Sequence, residues 1–150
     1  MRAVIQRTKQ AEVEIGGKSV SGIEKGLTIF LGIENDDDQQ DIEWLAGKIC
    51  RLRIFDDQEG IMNLSVKDIM GDLLIVSQFT LHASTRKGNR PSYIKAARPE
   101  IAQPVYEKFV KVIKEEHQGK VETGEFGAEM KIHLVNDGPV TILIDTKSKE

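Results

Sequence analysis

The sequence predicts a single-domain α+β fold: a mainly antiparallel, barrel-like sheet with two principal helices. Three observations carry this. Strand-like segments follow one another, interrupted by only two stretches of helical spacing. A length of 150 residues suits one hydrophobic core. Apolar residues at 39% and charged residues at 30% are the balance of a folded chain rather than a disordered one.

Taken in order, Ala3-Val4-Ile5-Gln6 is a short apolar strand. Val13 and Ile15 alternate with Glu12 and Glu14, the period of a half-buried strand. Gly16-Gly17 supplies the positive-φ residues of a tight hairpin turn, and residues 19–23 resume the alternation. Leu27–Ile33 is nearly all apolar and of strand length, so both of its faces are expected to be buried. The acidic loop Glu34–Asp38 reads as solvated, with Asp38 capping a helix that carries Ile42, Leu45, Ala46, Ile49 and Leu52. Leu73–Leu81 returns to strand character. The second helix places Ile101, Val105, Phe109 and Val112 on one stripe. Pro104 should start that helix or bend it, because an interior proline costs about 3 kcal/mol. Strands near Met130–Val135 and Val140–Asp145 close the chain, with Asn136–Thr141 as the turn between them.

Composition excludes several functions. The longest apolar runs fall far short of the roughly 20 residues that span a bilayer, so no membrane role is expected. The N-terminus lacks the pattern of a secretory signal. One cysteine, Cys50, permits neither an intrachain disulfide nor a cysteine-rich zinc site. The three histidines have no metal-ligand spacing, so no metal is expected. A cytoplasmic setting is the simplest reading.

Net charge is −3, yet Leu73–Pro99 contains no acid and holds Arg86, Lys87, Arg90, Lys95 and Arg98. A basic face on an acidic protein suits an anionic partner such as a phosphate backbone. The other reading is a loop whose cations pair with acids elsewhere in the fold. Conventional catalytic groups are scarce. Thr80 and His82 would share a strand face, but neighbours at that spacing rarely reach nucleophile–base geometry. His82 reads instead as an ordinary surface or loop histidine. His117 reads as a partner of its helix dipole, and His133 as a strand residue without a role.

Six segments carry a resemblance: Ile5-Gln6-Arg7, Met62-Asn63-Leu64, Ser77-Gln78-Phe79-Thr80-Leu81, Gly88-Asn89-Arg90-Pro91-Ser92, residues 123–130 and Asn136-Asp137-Gly138-Pro139-Val140-Thr141. The chain resembles the D-aminoacyl-tRNA deacylases of bacterial and eukaryotic cytosolic type, from its N-terminus to about Asp145. Both signature segments, Ser77–Leu81 and Asn136–Thr141, are intact, whereas His82 and Pro104 lie outside the pattern.

The resemblance implies hydrolysis of the ester joining a D-amino acid to tRNA, without a cofactor. It implies a homodimer with active sites at the interface. A cis Gly138-Pro139 main chain from one subunit would reject L-amino acids in the other, braced by Arg7. Glycine would escape such a filter, so Gly-tRNA is a further expected substrate. Ser77, Gln78 and Asn136 would join Gly138 and Pro139 in binding substrate. Phe79 and Thr80 would contribute main-chain N–H groups to the oxyanion and shape the pocket, in preference to a nucleophilic Thr80. Arg86, Lys87 and Arg90 would meet tRNA phosphates. A non-catalytic tRNA- or polyanion-binding module is the alternative.

Overall fold

The computed structural model describes residues 1–149. Its strands are β1 (Arg2–Ile15), β2 (Lys18–Ile23), β3 (Gly26–Gly32), β4 (Phe55–Asp56), β5 (Met62–Leu64), β6 (Asp72–Ser77), β7 (Val121–Thr123) and β8 (Lys131–Asp145). Its helices are α1 (Gln39–Arg51) and α2 (Pro99–Glu116). Six strands form one sheet in the order β2-β1-β3-β6-β7, with β8 on β1; β4 and β5 pair separately.

The β1–β2, β1–β3 and β1–β8 pairs are antiparallel, whereas β3–β6 and β6–β7 are parallel. The connections explain the mixture. Parallel neighbours need a long crossover, and these two crossovers carry α1 and α2. Ser21 Oγ donates to Thr123 O at 2.7 Å, and Lys120 Nζ donates to Gly22 O at 2.6 Å. These bonds draw β2 towards β7 and make the sheet barrel-like.

Alternation along the strands builds two cores. Leu27, Ile29, Leu31, Leu73 and Ile75 pack under both helices. Leu74 and Val76 point the other way and meet Ala11 and Val13. Each fully buried aliphatic side chain is worth about 1.5–3 kcal/mol.

Local signals account for α1. Asp38 Oδ1 accepts from Gln40 N and Asp41 N, while Asp41 Oδ2 accepts from Asp38 N, a reciprocal cap. Gly16 and Gly17 have φ of 58° and 79°, as the hairpin requires.

Other expectations need correction. The acidic loop is not simply solvated: the Asp37 side chain is buried, where it pairs with the Met1 ammonium. The second helix begins five residues before Pro104, with Pro99 in its first turn. Pro104 lies inside the helix, and the residue whose carbonyl it orphans, Glu100, is exposed, so burial of that residue adds no cost. The buried stripe of α2 is Ala102, Tyr106, Phe109, Val110 and Ile113, while Ile101 is 45% exposed. β6 stops at Ser77, and Phe79–His82 forms a single 3₁₀ turn. Finally, Asn136–Thr141 is not a turn between two strands. It lies within β8, which runs antiparallel to β1 along its whole length.

Candidate active site

The first signature segment begins where β6 ends. Gln78 N donates to Leu31 O at 2.7 Å, which ties the end of β6 to β3. The chain then tightens into the Phe79–His82 turn. The leading N–H groups of a helical turn have no partner within it. Among the described residues, the N–H groups of Phe79 and Thr80 donate to no other group. Gln78 Nε2 donates to Thr80 Oγ1 at 2.6 Å, and no imidazole or carboxylate of the described residues is hydrogen-bonded to that hydroxyl. Phe79 is 57% exposed and meets Tyr93 edge to face, with ring centroids 5.1 Å apart.

This segment borders a cavity of about 550 Å³. Ser77, Gln78 and Phe79 form one wall, and Ala96–Pro99 with Ala102 form the other. Leu31 and Val76 contribute from the sheet, and Phe126 and Met130 from the segment before β8. A smaller cavity of about 360 Å³, near Lys120 and His133, includes none of the expected site residues.

The second signature segment is built differently. Gln6 pairs with Thr141 and Thr8 with Asn136, so Arg7 alone stands opposite residues 137–140. Those residues bulge from β8. The Gly138–Pro139 peptide is cis, and both residues are exposed. Arg7 is buried behind them. Its Nε donates to Asp137 O at 3.1 Å, and its Nη1 donates to Ile54 O at 2.7 Å. The Asp56 and Asp137 carboxylates lie 3.5 and 3.6 Å from the guanidinium. A Cβ on Gly138 would come within 3.0 Å of Arg7 Nη2, and φ there is +123°, so glycine suits both space and backbone.

Ser77, Gln78 and Phe79 therefore line the cavity, with Thr80 adjacent in the turn. Asn136, Gly138, Pro139 and Arg7 are not part of its lining in the same chain.

Arg86, Lys87 and Arg90 occupy an exposed loop closed by Ser84 and Ser92, whose main chains exchange hydrogen bonds of 2.8 and 2.9 Å. Among the described residues, none of Arg86, Lys87, Arg90, Lys95 and Arg98 lies within ion-pair distance of a carboxylate. Internal pairing is therefore not what holds this loop.

His82 and His117 differ from expectation, whereas His133 lies in an alternating strand as expected. His82 is buried, with Nδ1 3.0 Å from Glu34 Oε1, and it shares no strand face with Thr80. His117 is also buried. Its Nε2–H donates to Gly71 O at 2.7 Å, so it docks α2 on the turn before β6 rather than serving its own helix. His133 Nε2 lies 2.9 Å from Glu14 Oε2. Cys50 is buried, and desolvation pushes its thiol up to about 11, which leaves it unreactive. Sequence reasoning missed Tyr93 and the Ala96–Ala102 wall. The available signal was an aromatic residue among cations, a common pattern at nucleic-acid surfaces.

A family model described as D-Tyr-tRNA(Tyr) deacylase matches residues 4–145. The chain belongs to that family. It is 57% identical over 150 residues to a D-aminoacyl-tRNA deacylase of Flavobacterium johnsoniae, covering 100% of both chains. It is 60% identical over 147 residues to one of Thermosipho africanus, covering 98% of each. A solved structure described as c-Myc DNA Unwinding Element Binding Protein superposes with a TM-score of 0.93 at 38% identity, covering 97% of this chain and 99% of that one. A probable eukaryotic D-amino acid tRNA deacylase shares the fold, with a TM-score of 0.78 at 18% identity over 95% of this chain and 97% of that one.

Proposed function

We propose that this chain hydrolyses the ester bond of D-aminoacyl-tRNA, releasing a free D-amino acid and tRNA. The observation that carries this reading is the cavity at the Ser77–Phe79 turn in a chain of the deacylase family.

Among the described residues, no imidazole or carboxylate is hydrogen-bonded to the Thr80 hydroxyl, which disfavours a nucleophilic role. Water attacks the ester carbonyl instead, aided by the 2′-hydroxyl of the terminal ribose. The N–H groups of Phe79 and Thr80 hold the resulting oxyanion. The carbon–oxygen bond to the ribose then breaks, and the departing 3′-oxygen takes a proton. Ser77 and Gln78 shape the pocket around the ester and adenosine. Arg86, Lys87 and Arg90 meet acceptor-stem phosphates, a role supported by their lack of ion pairs among the described residues.

Rejection of L-amino acids falls to Gly138 and Pro139 of a second copy. The support is that these exposed residues lie outside the cavity of their own chain. Their carbonyls accept from the substrate ammonium, with Asn136 beside them and Arg7 behind. With ammonium and ester both pinned, an L side chain strikes the Gly-Pro main chain and a D side chain points away. Glycine passes, so Gly-tRNA is also a substrate. The working form is a homodimer in the cytoplasm; no helix of the described residues is long and apolar enough to cross a membrane.

Deacylation of D-Tyr-tRNA and L-Tyr-tRNA, side by side and without added metal, tests this. Rapid loss of the D ester alone supports both parts. Cleavage of both esters removes the filter. Binding with protection of both makes the chain a non-catalytic module. Competition by unrelated duplex DNA then separates a tRNA binder from a general polyanion binder, a class to which the DNA-element binding protein of similar fold draws attention.

A further inference from the structure

His82 is the last residue of the turn that carries the Phe79 and Thr80 N–H groups. Its side chain is 0% exposed. Burying an imidazole without compensation is unfavourable. Two features of β3 and its extension nevertheless accommodate this ring. Gly32 leaves the space: a Cβ there would lie 2.9 Å from His82 Cδ2 and 3.0 Å from Nε2. Glu34 supplies the charge, its Oε1 3.0 Å from Nδ1 but off the line of a well-formed hydrogen bond. A carboxylate has no proton to give, so the contact is favourable only with the proton on Nδ1.

Glu34 is itself anchored. Its N–H donates to Asp37 Oδ2 at 2.7 Å, and its main chain pairs with Ala96. Ile33 O accepts from Ala97 N at 2.9 Å. The same short segment thus grips the Ala96–Ala102 wall of the cavity through its backbone and the Phe79 wall through His82. Arg2 Nη1, donating to Leu81 O at 2.7 Å, holds the turn one residue earlier.

We infer that Glu34 and His82 form a positioning pair that aims the Phe79 and Thr80 N–H groups at the ester. The pair acts on the deacylation step and not on tRNA binding. This inference rests on the deacylase reading above.

Single-turnover deacylation of D-Tyr-tRNA over a range of enzyme concentrations separates the saturated rate from half-saturation. Wild type, Glu34→Ala, His82→Leu, His82→Asn and Gly32→Ala are compared, with Tm measured on each. Small misplacements of catalytic groups cost about 100-fold, so Glu34→Ala, His82→Leu and Gly32→Ala should lower the saturated rate roughly 10- to 100-fold. Half-saturation should stay near that of wild type. His82→Asn, which keeps a donor near the position of Nδ1, should recover part of the loss. If His82→Leu fails to fold, Glu34→Ala, at a partly exposed side chain, decides the matter. Wild-type saturated rates in folded variants, or a change confined to half-saturation, would overturn the inference while leaving the deacylase reading intact. No cleavage by wild type would remove the deacylase reading and the inference with it.

Discussion

The Ser77–Leu81 segment leaves the sheet at the end of a strand; the Asn136–Thr141 segment stays in its strand and bulges from it. The first is pinned by the main chain, through Gln78 N on Leu31 O, and by the burial of His82. Its polar side chains satisfy one another, as Gln78 does Thr80. The second is paired with β1 only at its ends, Asn136 with Thr8 and Thr141 with Gln6. One guanidinium, Arg7, bonds to Asp137 O on the bulge and to Ile54 O beyond it. A turn pinned by backbone can present N–H donors at fixed angles, which suits catalysis. An exposed bulge braced from behind can present carbonyls outward, which suits discrimination in a neighbouring molecule. The two segments should therefore fail differently when disturbed.

The sharpest way to break the contrast is Arg7→Ala. It leaves two carbonyls without their charged donor, at about 1–3 kcal/mol each, so thermal unfolding should show a drop of several degrees. Folded protein should also cleave the L ester relatively faster. Arg7→Lys should not restore selectivity, since an ammonium lacks the planar fork that serves two carbonyls. Unchanged selectivity in Arg7→Ala would show that the bulge holds itself.

The next effect concerns the loop that follows the first segment, which has no counterpart beside the second. Lys87→Ala with Arg90→Ala should weaken tRNA binding and reduce its salt slope by about two. A filter-binding titration across salt concentrations would show this, and an unaltered slope would detach the loop from tRNA.

Thr80→Ala should do less. Loss of a true nucleophile typically removes several orders of magnitude, whereas loss of a pocket-shaping hydroxyl should stay within about tenfold. Activity abolished with tRNA binding retained would restore a nucleophilic threonine and make the first segment a side-chain site.

The smallest effect lies outside both segments and serves as a reference. Burial alone would raise the Asp41 pKa. Hydrogen bonds from Lys147 Nζ, Asp38 N and Thr146, with the charge of Lys147, instead bring it down to about 2. A depressed carboxylate stabilises the fold above its unfolded pKa near 3.8 and loses that contribution as pH falls towards 2. Asp41→Asn should flatten acid unfolding in that window and leave neutral-pH deacylation unchanged. A steep acid transition surviving in the variant would point to another carboxylate.

Much of this was readable locally. The Asp38 cap and the Ile42–Ile49 spacing mark α1, and Gly16-Gly17 marks its hairpin, because those signals span only a few residues. The signature segments and Arg7 were legible through family resemblance. The bulge was not. Asn-Asp-Gly-Pro reads as a turn anywhere, and only the continued pairing of β8 with β1 makes it a bulge. The depth of His82 was equally hidden, since Gly32 makes its room from another strand. The true stripe of α2 escaped for a similar reason: Pro99, not Pro104, opens the helix, and the α2 face that packs against the core is the one carrying Ala102 and Tyr106.

By itself, the sequence determined the two helices, the first three strands, the basic stretch, the polar signature segments and the scarcity of conventional catalytic groups. These depend on composition and on neighbours a few residues apart. Only the tertiary structure decided that β3, β6 and β7 run parallel, that Arg7 stands behind the bulge, that His82 faces Glu34, and that one signature segment lines the cavity while the other does not. Each of these joins residues far apart in the chain, and such contacts form only when strand register and helix packing bring them together.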